Sequence, residues 1–171
     1  MLITDLVQIE RLAARKEDEN WEYRTFLKGG PHSSKKLDAI VHRLHARVSA
    51  QIDCTACANC CKTILPILDQ EDIDNFARGL GISAEEFAEK YLVEAKAEAG
   101  MTFKGTPCPF LVDNKCSNYV HRPKDCSSYP HLHKPGFQRR TLGVLANCST
   151  CPIVFNVMEG LKKKLPQTEA F

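Results

Sequence analysis

The sequence has little net charge and no long apolar run. Its 171 residues carry 23 Lys and Arg against 21 Asp and Glu, so electrostatics gives no reason to expect nucleic acid as a partner. The apolar runs are shorter than the roughly 20 residues of a membrane-spanning helix. The start, MLITDLVQIE, contains two acidic residues and lacks the basic segment of a secretory signal. We therefore expect a cytoplasmic protein that binds neither nucleic acid nor membranes.

The sequence also lacks the common signatures of catalytic and nucleotide-binding sites. It contains no P-loop, no glycine-rich dinucleotide fingerprint and no recognisable Ser/His/Asp arrangement. No segment is typical of a site for S-adenosylmethionine. These absences favour a binding or redox protein over an enzyme.

Cysteine is absent from the first 53 residues, which have the apolar spacing of helices. One helix is predicted over residues 3–28, and a second begins after a serine cap at Ser33 or Ser34. We predict an antiparallel helical hairpin over 1–53 and a cysteine-cluster metal-binding domain over 54–165, joined in one compact unit.

The rest of the chain has short elements. Asp69 is placed to cap a helix, VDNK predicts a small hairpin between Phe110 and Cys116, and residues 137–147 and 152–165 have helical patterns. The last six residues, PQTEAF, are expected to be loose. The fold class predicted is mostly α, with a loop-rich cysteine core, little β structure, and the N-terminal hairpin packed on the metal-binding part.

Nine cysteines are the unusual feature of the composition. An odd number excludes a complete set of internal disulfides, and disulfides are rare in the cytoplasm. We therefore interpret the cysteines as metal ligands. The candidate ligands are Cys54, Cys57, Cys60, Cys61, Cys108, Cys116, Cys126, Cys148 and Cys151.

The segment CTACANCC holds four of these thiols within eight residues. Cys54, Cys57 and Cys60 form a C-x2-C-x2-C run, which surrounds one point from three sides, as in bacterial ferredoxins. A remote cysteine would complete the site. Cys61 is a separate problem, because neighbouring side chains of an extended segment point in opposite directions. It is interpreted as a ligand to a second metal or as a buried or reactive thiol.

The order CTACANCCKT, CPFL, CSNY and HRPKDCSSYP resembles the CxxCxxCC cysteine-cluster family over about residues 54–130. The resemblance implies a zinc- or iron-chelating domain whose cysteines are the seven from Cys54 to Cys126. Arg122-Pro123 and Tyr129-Pro130 match the family's RP and YP elements. The family includes the considerably longer flagellin lysine-N-methylases, so a methylase-type enzyme is the third alternative.

Several other residues have more than one interpretation. Cys148 and Cys151 form a CxxC pair that is a metal half-site, a pair of buried thiols or a redox pair. The pairs His131/His133 and His42/His45 are secondary candidate ligands, because mixed Cys/His sites occur. Arg122 is either a donor to the metal-bound sulfurs or a surface or capping residue.

Thiolates are soft ligands that favour zinc or iron–sulfur clusters. The triple cysteine run and the Cys-Pro dipeptides favour an iron–sulfur cluster, such as a [4Fe–4S] cluster, over zinc. The first hypothesis is therefore a small iron–sulfur protein with a redox or accessory role and an unidentified protein partner. The alternative is a structural zinc module for protein interaction.

Overall fold

A computed structural model describes residues 1–96 and 99–167. These residues form ten α-helices, one 3₁₀ helix and two antiparallel sheets of two strands each. The fold class predicted from the sequence, mostly α with little β structure, is confirmed. Within the described residues, no helix combines the length and apolar character needed to cross a bilayer.

The elements follow in chain order. The first three helices are α1 (Leu6–Arg15), α2 (Glu17–Gly29) and α3 (Ser34–Ser49). The middle of the chain forms α4 (Cys54–Cys57), α5 (Asn59–Thr63), α6 (Gln70–Leu80), α7 (Ala84–Tyr91), β1 (Leu92–Glu94), β2 (Met101–Phe103), β3 (Leu111–Val112) and β4 (Lys115–Cys116). A 3₁₀ helix (Tyr119–His121) and the helices α8 (Lys124–Ser128), α9 (Phe137–Ala146) and α10 (Pro152–Lys164) complete the order.

Contacts between residues divide the chain into two units. The helical unit combines residues 1–53 with the chain from residue 130 onward, and the cysteine unit is Cys54–Tyr129. The domain limits given in the sequence analysis stay a prediction.

In the helical unit, α3 packs against α9 and α10, while α2 packs on α9 and α1 on α10. The apolar faces of these helices are fully buried at Ile9, Leu37 and Leu161. The starts of α1 and α3 are capped by the residues that precede them, Asp5 and Ser33. Asp5 accepts a hydrogen bond from the Gln8 amide, as expected of an N-terminal capping residue.

The start of α9 is capped by a side chain from another helix. Both carboxylate oxygens of Asp38, on α3, accept hydrogen bonds from the amides of Gly136 (2.9 Å) and Phe137 (2.8 Å). Two of the amides that a helix leaves unpaired at its N-terminus are thereby satisfied. Asp38 therefore fixes the loop that leads into α9 against α3.

The cysteine unit has an aromatic core of its own. Phe76 of α6 contacts Phe87 of α7, Phe103 of β2 and Phe110, with ring centroids 4.7–6.0 Å apart. All four rings are buried, and Cys108 and Cys116 pack against this cluster. Burial of four aromatic side chains gives this unit a substantial apolar contribution to stability without metal.

The predicted hairpin is confirmed. Strands β3 and β4 are antiparallel, and the turn residues Asp113 and Asn114 have φ values of 48° and 62°. Positive φ at both central residues is the condition of a type I′ hairpin turn, and Asp and Asn adopt this conformation more easily than most residues. The turn therefore places Cys116 on β4, opposite Leu111.

The helix predictions are confirmed in part. The helices at 137–147 and 152–165 and the Asp69 cap of α6 are present. The single helix over 3–28 was wrong, because the chain breaks at Lys16 (φ −103°, ψ 13°), between α1 and α2. The Lys16 ammonium lies 2.8 Å from Glu159 on α10. The expectation of a loose end concerns residues 166–171, and 168–171 lie outside the described residues.

Candidate metal centre

The segment CTACANCC folds as two short helical turns rather than as a strand. Ala58 joins α4 to α5 in the left-handed conformation (φ 49°), and its amide donates to the Cys54 carbonyl at 2.9 Å. Four thiols therefore leave two successive turns. Cys57, Cys60 and Cys61 are half-buried, while Cys54 is exposed.

The sequence analysis assumed that Cys60 and Cys61 lie in an extended segment, which was wrong. Both belong to α5, where successive side chains are about 100° apart rather than opposed. The Cys60 thiol makes a hydrogen bond with the Cys61 sulfur. The thiols of Cys60 and Cys61 therefore lie side by side rather than on opposite sides of the chain.

Two remote cysteines are held beside α5 by the backbone and by the aromatic core. The Cys108 amide donates to the Cys61 carbonyl at 2.8 Å, and the Leu111 amide donates to the Cys108 carbonyl at 3.0 Å. Cys108 and Cys116 pack against the aromatic core, which fixes their backbone. Backbone hydrogen bonds and apolar packing thus hold the segments that carry Cys108 and Cys116.

The third remote cysteine, Cys126, lies on α8. The carboxylate of its neighbour Asp125 accepts a hydrogen bond from the Ile67 amide at 3.0 Å. The Lys124 amide donates to the Asp72 carboxylate at 2.9 Å. These two bonds join α8 to the segment after α5 and to the start of α6, and they hold the helix that carries Cys126.

The electrostatics distinguish Cys61 from the other thiols. The hydrogen bond with Cys60 lowers the pKa of Cys61 to about 6, and the positive charges of Arg122 and Lys62 act in the same direction. Burial opposes these effects. The surroundings of Cys61 thus favour the thiolate, the form that binds metals.

The other three thiols are shifted in the opposite direction. Desolvation raises the pKa of Cys108, Cys116 and Cys126, in the last case to about 12, although Cys126 as a residue is exposed. The negative charge of Cys61 contributes to the shift in all three. Four thiols from four separate segments therefore lie close enough to disfavour one another's ionisation. A cation among them would remove that repulsion.

The donor set fits a soft metal or an iron–sulfur cluster in its chemistry. All nine cysteines are thiols rather than disulfides, and thiolates are the preferred ligands of zinc and of iron–sulfur clusters. Over residues 1–96 and 99–167, no three His, Cys, Asp or Glu side chains form a group that could hold a metal ion.

Comparison with known families agrees with this chemistry. A family model described as "CxxCxxCC: Putative zinc- or iron-chelating domain" matches residues 53–152, more than half of the chain. The chain belongs to the CxxCxxCC family. The resemblance stated from the cysteine spacing is thereby confirmed, and metal binding is the property that the family description supports. No curated protein matches the chain, and no solved structure matches it.

The CxxCxxCC family model extends beyond residues 54–130, where the resemblance was found, and includes Cys148 and Cys151. Both belong to the helical unit and are buried, with exposed fractions of 2% and 7%. The Cys148 thiol donates to the Val144 carbonyl at 3.5 Å, and desolvation raises its pKa to about 12. The ligand role predicted for these two cysteines stays a prediction.

The candidate histidines also belong to the helical unit of this CxxCxxCC protein. His45 stacks on His133 with ring centroids 5.9 Å apart, and His42 Nε2 lies 3.3 Å from the Lys134 carbonyl oxygen. Burial, followed by the neighbouring His133 and His42, lowers the pKa of His45. Histidines separated by about ninety residues in the sequence are thus brought together on α3 and the loop before α9.

One residue near the thiols was missed in the sequence analysis. Lys62 follows Cys61 directly, its charge helps to lower the pKa of Cys61, and its ammonium donates to the Cys57 carbonyl at 3.3 Å. The sequence did offer a signal for this residue, because a lysine directly after two adjacent cysteines places a positive charge beside their thiols.

Proposed function

We propose that this CxxCxxCC protein binds an iron–sulfur cluster of the [4Fe–4S] type and uses it in a redox or accessory role. The donors would come from the seven cysteines of the cysteine unit, with Cys61, Cys108, Cys116 and Cys126 as the central set. The proposed setting is the cytoplasm, where thiols stay reduced. The proposed partner is a protein rather than nucleic acid or a membrane.

The observation that carries the proposal is the mutual electrostatic influence of four thiols from α5, β4, α8 and the loop before β3. Unliganded thiols gain nothing from such an arrangement, because each thiolate raises the pKa of its neighbours. Binding to a metal centre stabilises all four thiolates at once. Desolvation around Cys108 and Cys116 also excludes water, one of the factors that set a cluster's potential.

A purely structural zinc role is the alternative. Small zinc modules are unfolded without metal because they lack a core of their own. The cysteine unit differs, since Phe76, Phe87, Phe103 and Phe110 already form a buried aromatic cluster. A unit with its own core does not need a metal for folding alone, which supports a role for the metal in the protein's activity.

The residues of the chain have separable tasks in this proposal. When bound, a cluster supplies a centre that accepts and releases an electron. Cys61 supplies a thiol whose pKa is lowered by its surroundings, the aromatic core holds Cys108 and Cys116, and Asp125 holds the helix that carries Cys126.

The test is elemental analysis of protein purified without oxygen. We expect iron and acid-labile sulfide in matching amounts, together with a visible absorption band that bleaches on reduction. Cys126→Ala should lose the band and most of the iron, while Ser127→Ala, on the same helix, should keep both. Ser127 makes a hydrogen bond to the Lys124 carbonyl, so its replacement controls for disturbance of α8.

The alternative results are informative. Zinc without iron or sulfide would refute the cluster and favour the structural module. Protein that binds neither metal, even after reconstitution under reducing conditions, would refute both. Equal iron in Cys126→Ala and Ser127→Ala would remove Cys126 from the ligand set.

A further inference from the structure

The break between α1 and α2 has no cause in the residue at which it occurs. Lys16 has φ −103° and ψ 13°, away from helical values, although lysine is a good helix former. Sharp kinks usually arise at proline, at glycine or at an inserted side chain, and the apolar pattern of residues 3–28 predicts a single helix. Contacts with the rest of the helical unit must therefore hold the chain bent at Lys16.

Four charged side chains form a closed ring of ion pairs at this break. The Lys16 ammonium lies 3.3 Å from Glu19 and 2.8 Å from Glu159, and the Lys162 ammonium lies 2.7 Å from Glu19 and 3.1 Å from Glu159. Each ammonium thus meets both carboxylates. Because Lys162 is only 12% exposed, the ring is better shielded from solvent than an ordinary surface pair. This ion-pair ring joins the bend at Lys16 to α10.

The segment before α1 is attached to α10 as well. The Ile3 amide donates to Asn156 Oδ1 at 3.0 Å, and Asn156 Nδ2 donates to the Ile3 carbonyl at 2.7 Å. Asn156 lies three residues before Glu159 in α10, so the two side chains are on the same side of that helix. The two ends of α1 are therefore both attached to one side of α10.

Between these two attachments, α1 buries little apolar surface. Of its ten residues, all of which the structure describes, Ile9 and Ala13 are the buried ones, and Val7 is 65% exposed. By contrast, α3 buries four large apolar side chains. A helix with one large buried side chain separates from its neighbours more easily than a core helix does. Polar contacts at its two ends therefore contribute much of what holds α1 in place.

We propose that residues 3–15 form a releasable strap on α10, hinged at Lys16 and held closed by the ion-pair ring and by Asn156. In the open state Lys16 adopts ordinary helical angles, α1 continues α2, and the side of α10 that carries Asn156 and Glu159 is exposed together with Ile9. Rising ionic strength favours the open state, because salt screens the ring. The strap thereby controls access to that side of α10, and its action does not depend on the metal centre.

The experiment is amide hydrogen exchange of the full chain, followed by mass spectrometry at low and at high sodium chloride. High salt should speed exchange over residues 3–8, at the free end of the strap, and leave α3 unchanged. Glu159→Gln removes the carboxylate that both lysines share and should speed exchange of residues 3–8 roughly fivefold. Asn156→Ala removes the other attachment and should speed exchange over the same residues.

Glu71→Gln is the matched control. Glu71 lies 2.5 Å from the Lys124 ammonium, in the cysteine unit. Its replacement also takes a carboxylate from a lysine that meets two acids, and it should leave the exchange of residues 3–8 unchanged. All proteins are compared at equal metal content, so that differences in loading do not affect the result.

Three results would overturn the strap. In the first, residues 3–8 of the parent exchange as slowly as α3 at both salt concentrations, which means that α1 opens only when the whole unit unfolds. In the second, Glu159→Gln exchanges like Glu71→Gln. In the third, Glu159→Gln speeds α3 as much as α1, which shows a general loss of stability. If a variant does not fold, the salt comparison in the parent protein decides alone.

Discussion

Replacement of Gly79 by alanine should destabilise the cysteine unit, although alanine is the better helix former. Gly79 lies in the last turn of α6, directly beneath the 3₁₀ helix. A Cβ atom there would overlap Asn118 Oδ1 and lie 2.5 Å from His121 Nδ1. Asn118 has no room to yield freely, since it is buried and donates to the Phe76 carbonyl.

The magnitude follows from three contributions. Forced repacking costs about 1–3 kcal/mol, and loss of the buried hydrogen bond of Asn118 costs about 1–3 kcal/mol. The higher helix propensity of alanine offsets about 1 kcal/mol. Gly79→Ala should therefore lower the free energy of unfolding by roughly 3 kcal/mol.

The matched control is the same substitution in α9. A Cβ atom at Gly143 meets nothing within 4 Å, so Gly143→Ala should raise stability by up to about 1 kcal/mol. Urea unfolding followed by far-UV circular dichroism, at matched metal content, measures both. The reasoning is refuted if Gly79→Ala is as stable as the parent while Gly143→Ala behaves as expected.

Three further results are expected. Asp38→Ala removes the acceptor of two amides at the start of α9 and should lower the free energy of unfolding in urea by about 1–2 kcal/mol. Asp38→Asn should lower it less. Equal stability of the parent and Asp38→Ala would contradict the capping role of Asp38. Burial lowers the pKa of His45, so the unfolded chain binds this proton more readily. Stability should then fall as the pH drops below about 6.5, by at most about 1.4 kcal/mol per unit. His45→Gln should flatten that profile, and an unchanged profile would exclude His45 as its source. Phe76→Ala should cost about 3–5 kcal/mol in thermal or urea unfolding, because Phe76 contacts three other rings of the core; a loss below 1 kcal/mol would show that the core does not stabilise the unit.

Features governed by neighbouring residues could be predicted from the sequence. The turn at Asp113 and Asn114 follows from the tolerance of these residues for positive φ, and the Asp69 cap follows from a carboxylate placed before an apolar helical pattern. The family was also accessible, because cysteine spacing is a property of the chain itself.

Features governed by long-range packing could not be predicted in this way. Nothing local in residues 137–164 indicates that α9 and α10 pack on α3, about a hundred residues earlier. The helical state of Cys60 and Cys61 was missed because a five-residue helix has too few positions to show a period. The break at Lys16 was also missed, and so was the ion pair of Lys16 with Glu159, which joins positions far apart in the sequence.

The order of the two units along the chain has a consequence for synthesis. The cysteine unit is one continuous segment, whereas the helical unit needs residues from both sides of it. A ribosome therefore finishes Cys54–Tyr129 while α3 still lacks α9 and α10, the helices against which it packs. The aromatic core of the cysteine unit draws all its members from this one segment, so it can form without waiting for the helices that complete the helical unit. The helical unit, by contrast, reaches its final packing only when the last helices of the chain have been made.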